Sequence, residues 1–145
     1  MSGSSLVPVL QIAIGPVILI SGVGLLLLSM TNRFGRIIDR SRILAVQLRS
    51  DDQAERERAL AQVGIVWRRA VLVRRAIILA SISVLLAAVL VMALFMAALR
   101  HADIGGLIVF LFGGCLAALI GSLVAFIAEI NQSLLALRLD LFNAS

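Results

Sequence analysis

The 145-residue chain has no lysine and no tyrosine, and only one cysteine, one histidine, one tryptophan and two prolines. Each shortage removes a class of answer. The lone cysteine, Cys115, closes no intramolecular disulfide, so the chain is not a disulfide-stapled scaffold. Inside an apolar run it reads as a small packing residue. The lone histidine, His101, has no second His, Cys or acidic cluster beside it in sequence, so no metal is expected. There is no phosphate-binding glycine loop, no Gly-x-Ser-x-Gly and no Cys-x-x-Cys. No set of residues combines nucleophile, base and charge stabiliser, so neither an enzyme nor a bound cofactor is expected.

Charge is also missing over long stretches. Residues 6–30, 76–99 and 104–128 carry no charged side chain. Each run exceeds the about 20 residues that take a helix across the roughly 30 Å hydrocarbon core of a bilayer. Mean hydropathy is +1.10 and 61% of residues are hydrophobic, more apolar material than a soluble domain of this size can bury. The first run has no basic stretch before it and no small-residue cleavage pattern after it, so it reads as a retained span and not a signal peptide. No acidic residue falls in mid-span, where a proton relay or cation site would need one.

What the chain does have is arginine. Eleven of its thirteen basic residues lie within residues 33–75, against Asp39, Asp51, Asp52, Glu55 and Glu57, a net of +6. Positive loops stay on the cytoplasmic side. This places residues 31–75 and the C-terminus inside, and the N-terminus and the turn at residues 100–103 outside. With one Phe, one Trp and no Tyr in the block, nucleic acid is not the expected partner. Anionic lipid headgroups of the inner leaflet are, with a cytoplasmic protein as the other candidate.

Apolar spacing at Phe34, Ile37, Ile38, Leu44, Ala45 and Leu48 predicts a helix that continues the first span. Ser50-Asp51-Asp52 breaks it, and Asp52 followed by Glu55 resembles a capping box for the next helix. That helix is expected to bury Leu60, Val63, Trp67, Ala70 and Val71. The two would fold back as an antiparallel hairpin. Residues 129–142 repeat the pattern, with Ile127, Ile130, Leu134, Leu137 and Leu141 as the expected docking stripe. Glu129, Gln132, Ser133 and Asp140 lie off it. This tail would dock on the hairpin or lie on the membrane.

Three features carry candidate chemistry. Gln11, Gly15, Ile18, Gly22, Leu25, Ser29, Asn32 and Arg36 recur in steps of four and three, which sets them along one helix face. An amide such as Gln11 must find a partner inside the bilayer. The seam could pack against the other spans, join copies of the chain, or line water. Pro16 beside Gly15 predicts a kink. The third span carries small residues at Gly113, Ala117, Gly121 and Ala125, with Gly114, Ala118 and Ser122 beside them. This is a pattern for close helix contact, within the chain or with another subunit. Ala80, Ser83 and Ala87 offer a matching face on the second span. The third feature follows the first span: Asn32, Arg33, Arg36, Asp39, Arg40 and Arg42. Helical spacing lets Arg36 and Arg42 both reach Asp39, while Arg33 and Arg36 could grip phosphate with forked donors. Glu129, at the inner edge of the third span, is expected to be solvated at the interface or paired with a hairpin arginine.

The segment PVILISGVGLLLLSMTNRFGRIIDRSR, residues 16–42, resembles the hallmark of DUF2721, a family of small bacterial membrane proteins. The lead-in at residues 11–15 and the Trp67-Arg68-Arg69 region are similar to that family as well. The resemblance implies a multi-pass protein of the bacterial inner membrane and supplies no activity. The expectation is therefore an all-α protein: three transmembrane helices extended into a cytoplasmic helical hairpin. It would be non-catalytic and self-associating through spans 1 and 3, with the hairpin on anionic lipid or a protein. A homo-oligomeric channel lined by the first-span seam is the alternative, and an accessory subunit of a larger complex is the third reading.

Overall fold

The computed structural model describes residues 6–100 and 104–142, without the side chains of residues 136, 137 and 139–142. His101, the five N-terminal residues, and the tail positions Leu137, Asp140 and Leu141 therefore lie outside the described residues.

The described residues form three helices: α1 (Leu6–Gln47), α2 (Gln53–Arg100) and α3 (Gly105–Phe142). Each is long and apolar enough to cross a membrane. α1 runs through Pro16 without ending. It stops where Arg49 and Ser50 tighten onto the carbonyls of Val46 and Gln47, satisfying carbonyls that have no helical partner. α2 starts on Asp52, whose carboxylate accepts from the Ala54 amide at 3.0 Å and whose carbonyl accepts from Arg56 at 3.1 Å. The expected capping box is only half formed. The Asp52 amide, which such a box offers to Glu55, donates to Ser50 Oγ at 3.3 Å instead.

Two compact units share the helices. One comprises Met1–Leu28 and Ile78–Ser122, the other Ser29–Ile77 and Leu123–Ser145. In the first, α1 buries Ala13, Pro16 and Val23, α2 buries Ala80, Ser83, Ala87 and Leu90, and α3 buries Leu111, Cys115 and Ser122. The interior is thus made mostly of small side chains, while Leu25, Leu85 and Phe110 are exposed. That arrangement suits lipid as the surrounding solvent, since small residues let helices close together and large apolar ones lose nothing by facing acyl chains. Ser83 Oγ donates to the Cys115 carbonyl at 3.0 Å and the Cys115 thiol donates to the Ser83 carbonyl at 3.2 Å, tying α2 to α3.

In the second unit α1 buries Met30, Ile37 and Leu44, α2 buries Ala59, Val73 and Ala76, and α3 buries Glu129. Two expected stripes turn out to be rotated. Leu60, Val63 and Trp67 of α2 are exposed, Trp67 by 72%, and Ala70 and Val71 are half-buried. The inward face runs instead through Ala59, Gln62, Val66, Arg69, Val73 and Ala76. On α3, Ile127 and Leu134 are exposed and Ile130 is half-buried, whereas Glu129 and Ser133, which lie off the expected stripe, are buried and half-buried. The reason lies in a polar cluster that only the assembled unit contains.

Candidate functional site

That cluster centres on the Glu129 carboxylate, which has no exposed surface. Its Oε2 accepts from Arg33 Nη1 of α1 at 2.9 Å. Its Oε1 accepts from Arg69 Nη2 at 3.2 Å and Nε at 3.3 Å on α2. Ser133, one turn along α3, places Oγ 2.9 Å from Oε1 and 3.1 Å from the Glu129 carbonyl. Burying a carboxylate is costly unless charged and hydrogen-bonding partners replace the lost hydration. Here both oxygens are served, and three helices are joined at one side chain. The Arg33 guanidinium also lies 5.4 Å from the centre of the Phe126 ring, a cation–π arrangement on the α3 side.

Around this knot is a cleft of ≈ 370 Å³ lined by Arg33, Arg36, Ile37 and Arg40 of α1, Val66 and Arg69 of α2, and Glu129 and Ser133 of α3. Four guanidinium groups face one carboxylate there. Glu129 engages Arg33 and Arg69; the other two remain exposed. Arg40 Nη2 donates to Gln62 Oε1 at 2.9 Å, which leaves its charge unbalanced. Arg36 is in no ion pair among the described residues. The cleft therefore offers forked donors and net positive charge, the chemistry of a phosphate or carboxylate site. Its floor is fixed, because the Glu129 pairs hold two of the four arginines in place.

Of the first-span cluster anticipated from sequence, Arg33, Arg36 and Arg40 reach this cleft, while Asn32, Asp39 and Arg42 are exposed and do not line it. The Asp39 pairs with Arg36 and Arg42 are not formed; both ion pairs among the described residues are made by Glu129. Their spacing permits the contact, but on an exposed helix face such a pair gains too little to fix two long side chains. Arg69, Gln62 and Ser133 were not foreseen. The available signal was Glu129 itself, an acid bordering an apolar run with arginines elsewhere to meet it.

The other anticipated faces divide. On α1, Gln11, Gly15, Gly22 and Ser29 are all exposed, and a Cβ built on Gly15 or Gly22 would meet nothing within 4 Å, so this seam does not pack inside the chain. On α3, Gly113 and Ala117 are exposed, and Gly121 and Ala125 are half-buried. A Cβ added at Gly121 would come within 3.3 Å of Leu79 Cδ1, and one at Gly114 within 3.5 Å of Leu86 Cδ1, so α3 lies close to α2 at these two glycines. Ala80, Ser83 and Ala87 are fully buried in that unit. An apolar groove between α1 and α2, lined by Ile37, Leu44, Val63, Val66 and Trp67 among others, opens beside the cleft.

Residues 13–139 match the profile of a family described as a protein of unknown function, DUF2721. The chain belongs to the DUF2721 family. The match takes in every cleft residue from Arg33 to Ser133 and all of the α1 seam except Gln11. Neither a curated protein nor a solved structure matches the chain. The DUF2721 assignment and three membrane-length apolar helices mark a membrane protein. The family description carries no activity, so the cleft must be interpreted from its chemistry.

Proposed function

We propose that this DUF2721 protein is a non-catalytic, multi-pass protein of the bacterial inner membrane whose arginine cleft holds the phosphate of an anionic lipid headgroup. The N-terminus lies outside and the cleft and C-terminus inside, following the arginine bias. The observation that carries the reading is the cleft's charge: Arg36 and Arg40 stand exposed and unneutralised beside a Glu129 knot that already engages Arg33 and Arg69. Anionic lipid presents phosphate at the cytoplasmic membrane surface, and arginines near that surface are drawn to it. In the test, the full chain sits in phosphatidylcholine nanodiscs and a short-chain phosphatidylglycerol is titrated in. The only tryptophan, Trp67, reports from the adjoining groove. Saturable binding is expected. Arg36→Gln with Arg40→Gln should weaken it about tenfold or more, since each lost charge-assisted hydrogen bond is worth about 1.5–3 kcal/mol. Equal affinity for wild type and the double variant would overturn the reading.

A second property is favoured by the exposure of the α1 seam. An amide at Gln11 facing acyl chains is costly, and a second copy of the chain relieves that cost. Self-association through α1, with Gly113 and Ala117 of α3 as a further contact face, follows. A ring of copies with Gln11, Gly15, Gly22 and Ser29 lining water is the channel form of the same idea, and an accessory role in a larger complex is the remaining form. Gln11→Leu should abolish anion flux into liposomes if the seam lines water. Flux that persists unchanged excludes the channel.

A further inference from the structure

α1 carries two stripes that repeat every seven residues, and they face different ways. One is Pro16, Val23, Met30, Ile37 and Leu44, all buried within the chain. The other is the four–three seam, which continues past Arg36 to Asp39, Ile43 and Val46, and each of these is exposed. A helix needs one such stripe to join its own bundle. A second, kept in step with the first, is what a helix carries when it meets another helix elsewhere.

The composition of the second stripe selects a second copy of the same helix as its partner. Copies of one protein enter the membrane in one orientation, so their α1 helices run parallel. In a parallel, in-register pair each seam residue faces its own counterpart. Gly15, Gly22 and Ser29 then fall at one set of crossing points, where small side chains allow close backbones. Gln11 and Asn32 meet their own kind, and amides pair with amides, each giving and accepting. Arg36 and Asp39 decide the matter. They lie three residues apart, about 4.5 Å along the axis, and neither is in an ion pair among the described residues. In register, Arg36 of each copy comes within reach of the partner's Asp39, giving two crossed pairs. In this register each like-charge contact is flanked by an opposite charge. The spacing that fails to produce an Arg36–Asp39 pair inside the chain is the spacing that produces one between copies.

We infer that two copies associate in parallel along this α1 stripe, with Arg36 of each paired to Asp39 of the other. The inference rests on the self-association reading above and specifies its geometry. The test uses the full chain in phosphatidylcholine bilayers, free of anionic lipid, because Arg36 also lines the cleft. In a Cys115→Ala background, Leu25→Cys lies on the stripe, and Val17→Cys is an exposed control off it. Oxidation should give a covalent dimer for Leu25→Cys and none for Val17→Cys. Asp39→Arg should lower the dimer fraction, Arg36→Asp should do the same, and the two together should restore it. Failure of the combined swap to restore dimers overturns the crossed pair. Dimers seen by light scattering without the Leu25→Cys cross-link overturn the stripe and leave self-association standing. Monomers throughout overturn both.

Discussion

Glu129 sits where three helices need a common partner, and its burial makes it the residue whose loss is felt most. Removing one member of a buried ion pair leaves an uncompensated charge, which costs about 3–5 kcal/mol. Arg33 and Arg69 keep about a third of their side-chain surface exposed, at 33% and 31%. The lower end, about 3 kcal/mol, is therefore expected for Glu129→Leu. Thermal unfolding in mild detergent measures it. Arg33→Leu and Arg69→Leu should each destabilise the fold. Combining either with Glu129→Leu should cost much less than the sum, because the partners share one network. Full additivity would show that the pairs contribute nothing. The Ser83–Cys115 exchange in the other unit is weaker: Ser83→Ala should cost about 0.6 kcal/mol, the mean for hydrogen bonds between membrane helices. Glu129 was visible in the sequence as an acid at the edge of an apolar span. Its partners were not, because a pairing across 96 residues of chain, as between Arg33 and Glu129, leaves no local spacing to detect.

At the scale of the helices, existence and ends were legible and rotation was not. Long uncharged runs, the Ser50-Asp51-Asp52 break and the Asp52 cap follow from composition and local bonding. Which face turns inward depends on the solvent outside. Leu60, Val63 and Trp67 form a plausible core stripe for water, but α2 turns Arg69 toward Glu129 and carries these three outward. α3 does the same with Ile127 and Leu134. Along the small-residue stripe of α3, a Cβ added at Gly121 would meet Leu79 of α2, whereas one added at Gly113 would meet nothing within 4 Å. This yields a paired prediction. Gly121→Ile drives a branched side chain into Leu79 and should destabilise the fold by about 1–3 kcal/mol, the usual cost of overpacking. Gly113→Ile meets open space and should leave unfolding unchanged. Equal effects at the two sites would contradict the α2–α3 packing described here.

For the molecule as a whole, the thirteen arginines fall into distinct environments. Two support a buried acid, two stand open beside it, and others, such as Arg74 and Arg75, are exposed elsewhere on α2. A diffuse basic surface would draw anionic lipid through any of these charges, in a manner that salt screens. A built cleft draws it through particular ones. Native mass spectrometry of the full chain released from nanodiscs of mixed phosphatidylcholine and phosphatidylglycerol separates the two most directly, by counting the phosphatidylglycerol molecules that stay bound. Wild type and Arg74→Gln/Arg75→Gln should retain the same number, and Arg36→Gln/Arg40→Gln should lose bound lipid. Equal retention by both double variants, or equal loss from both, would contradict the cleft.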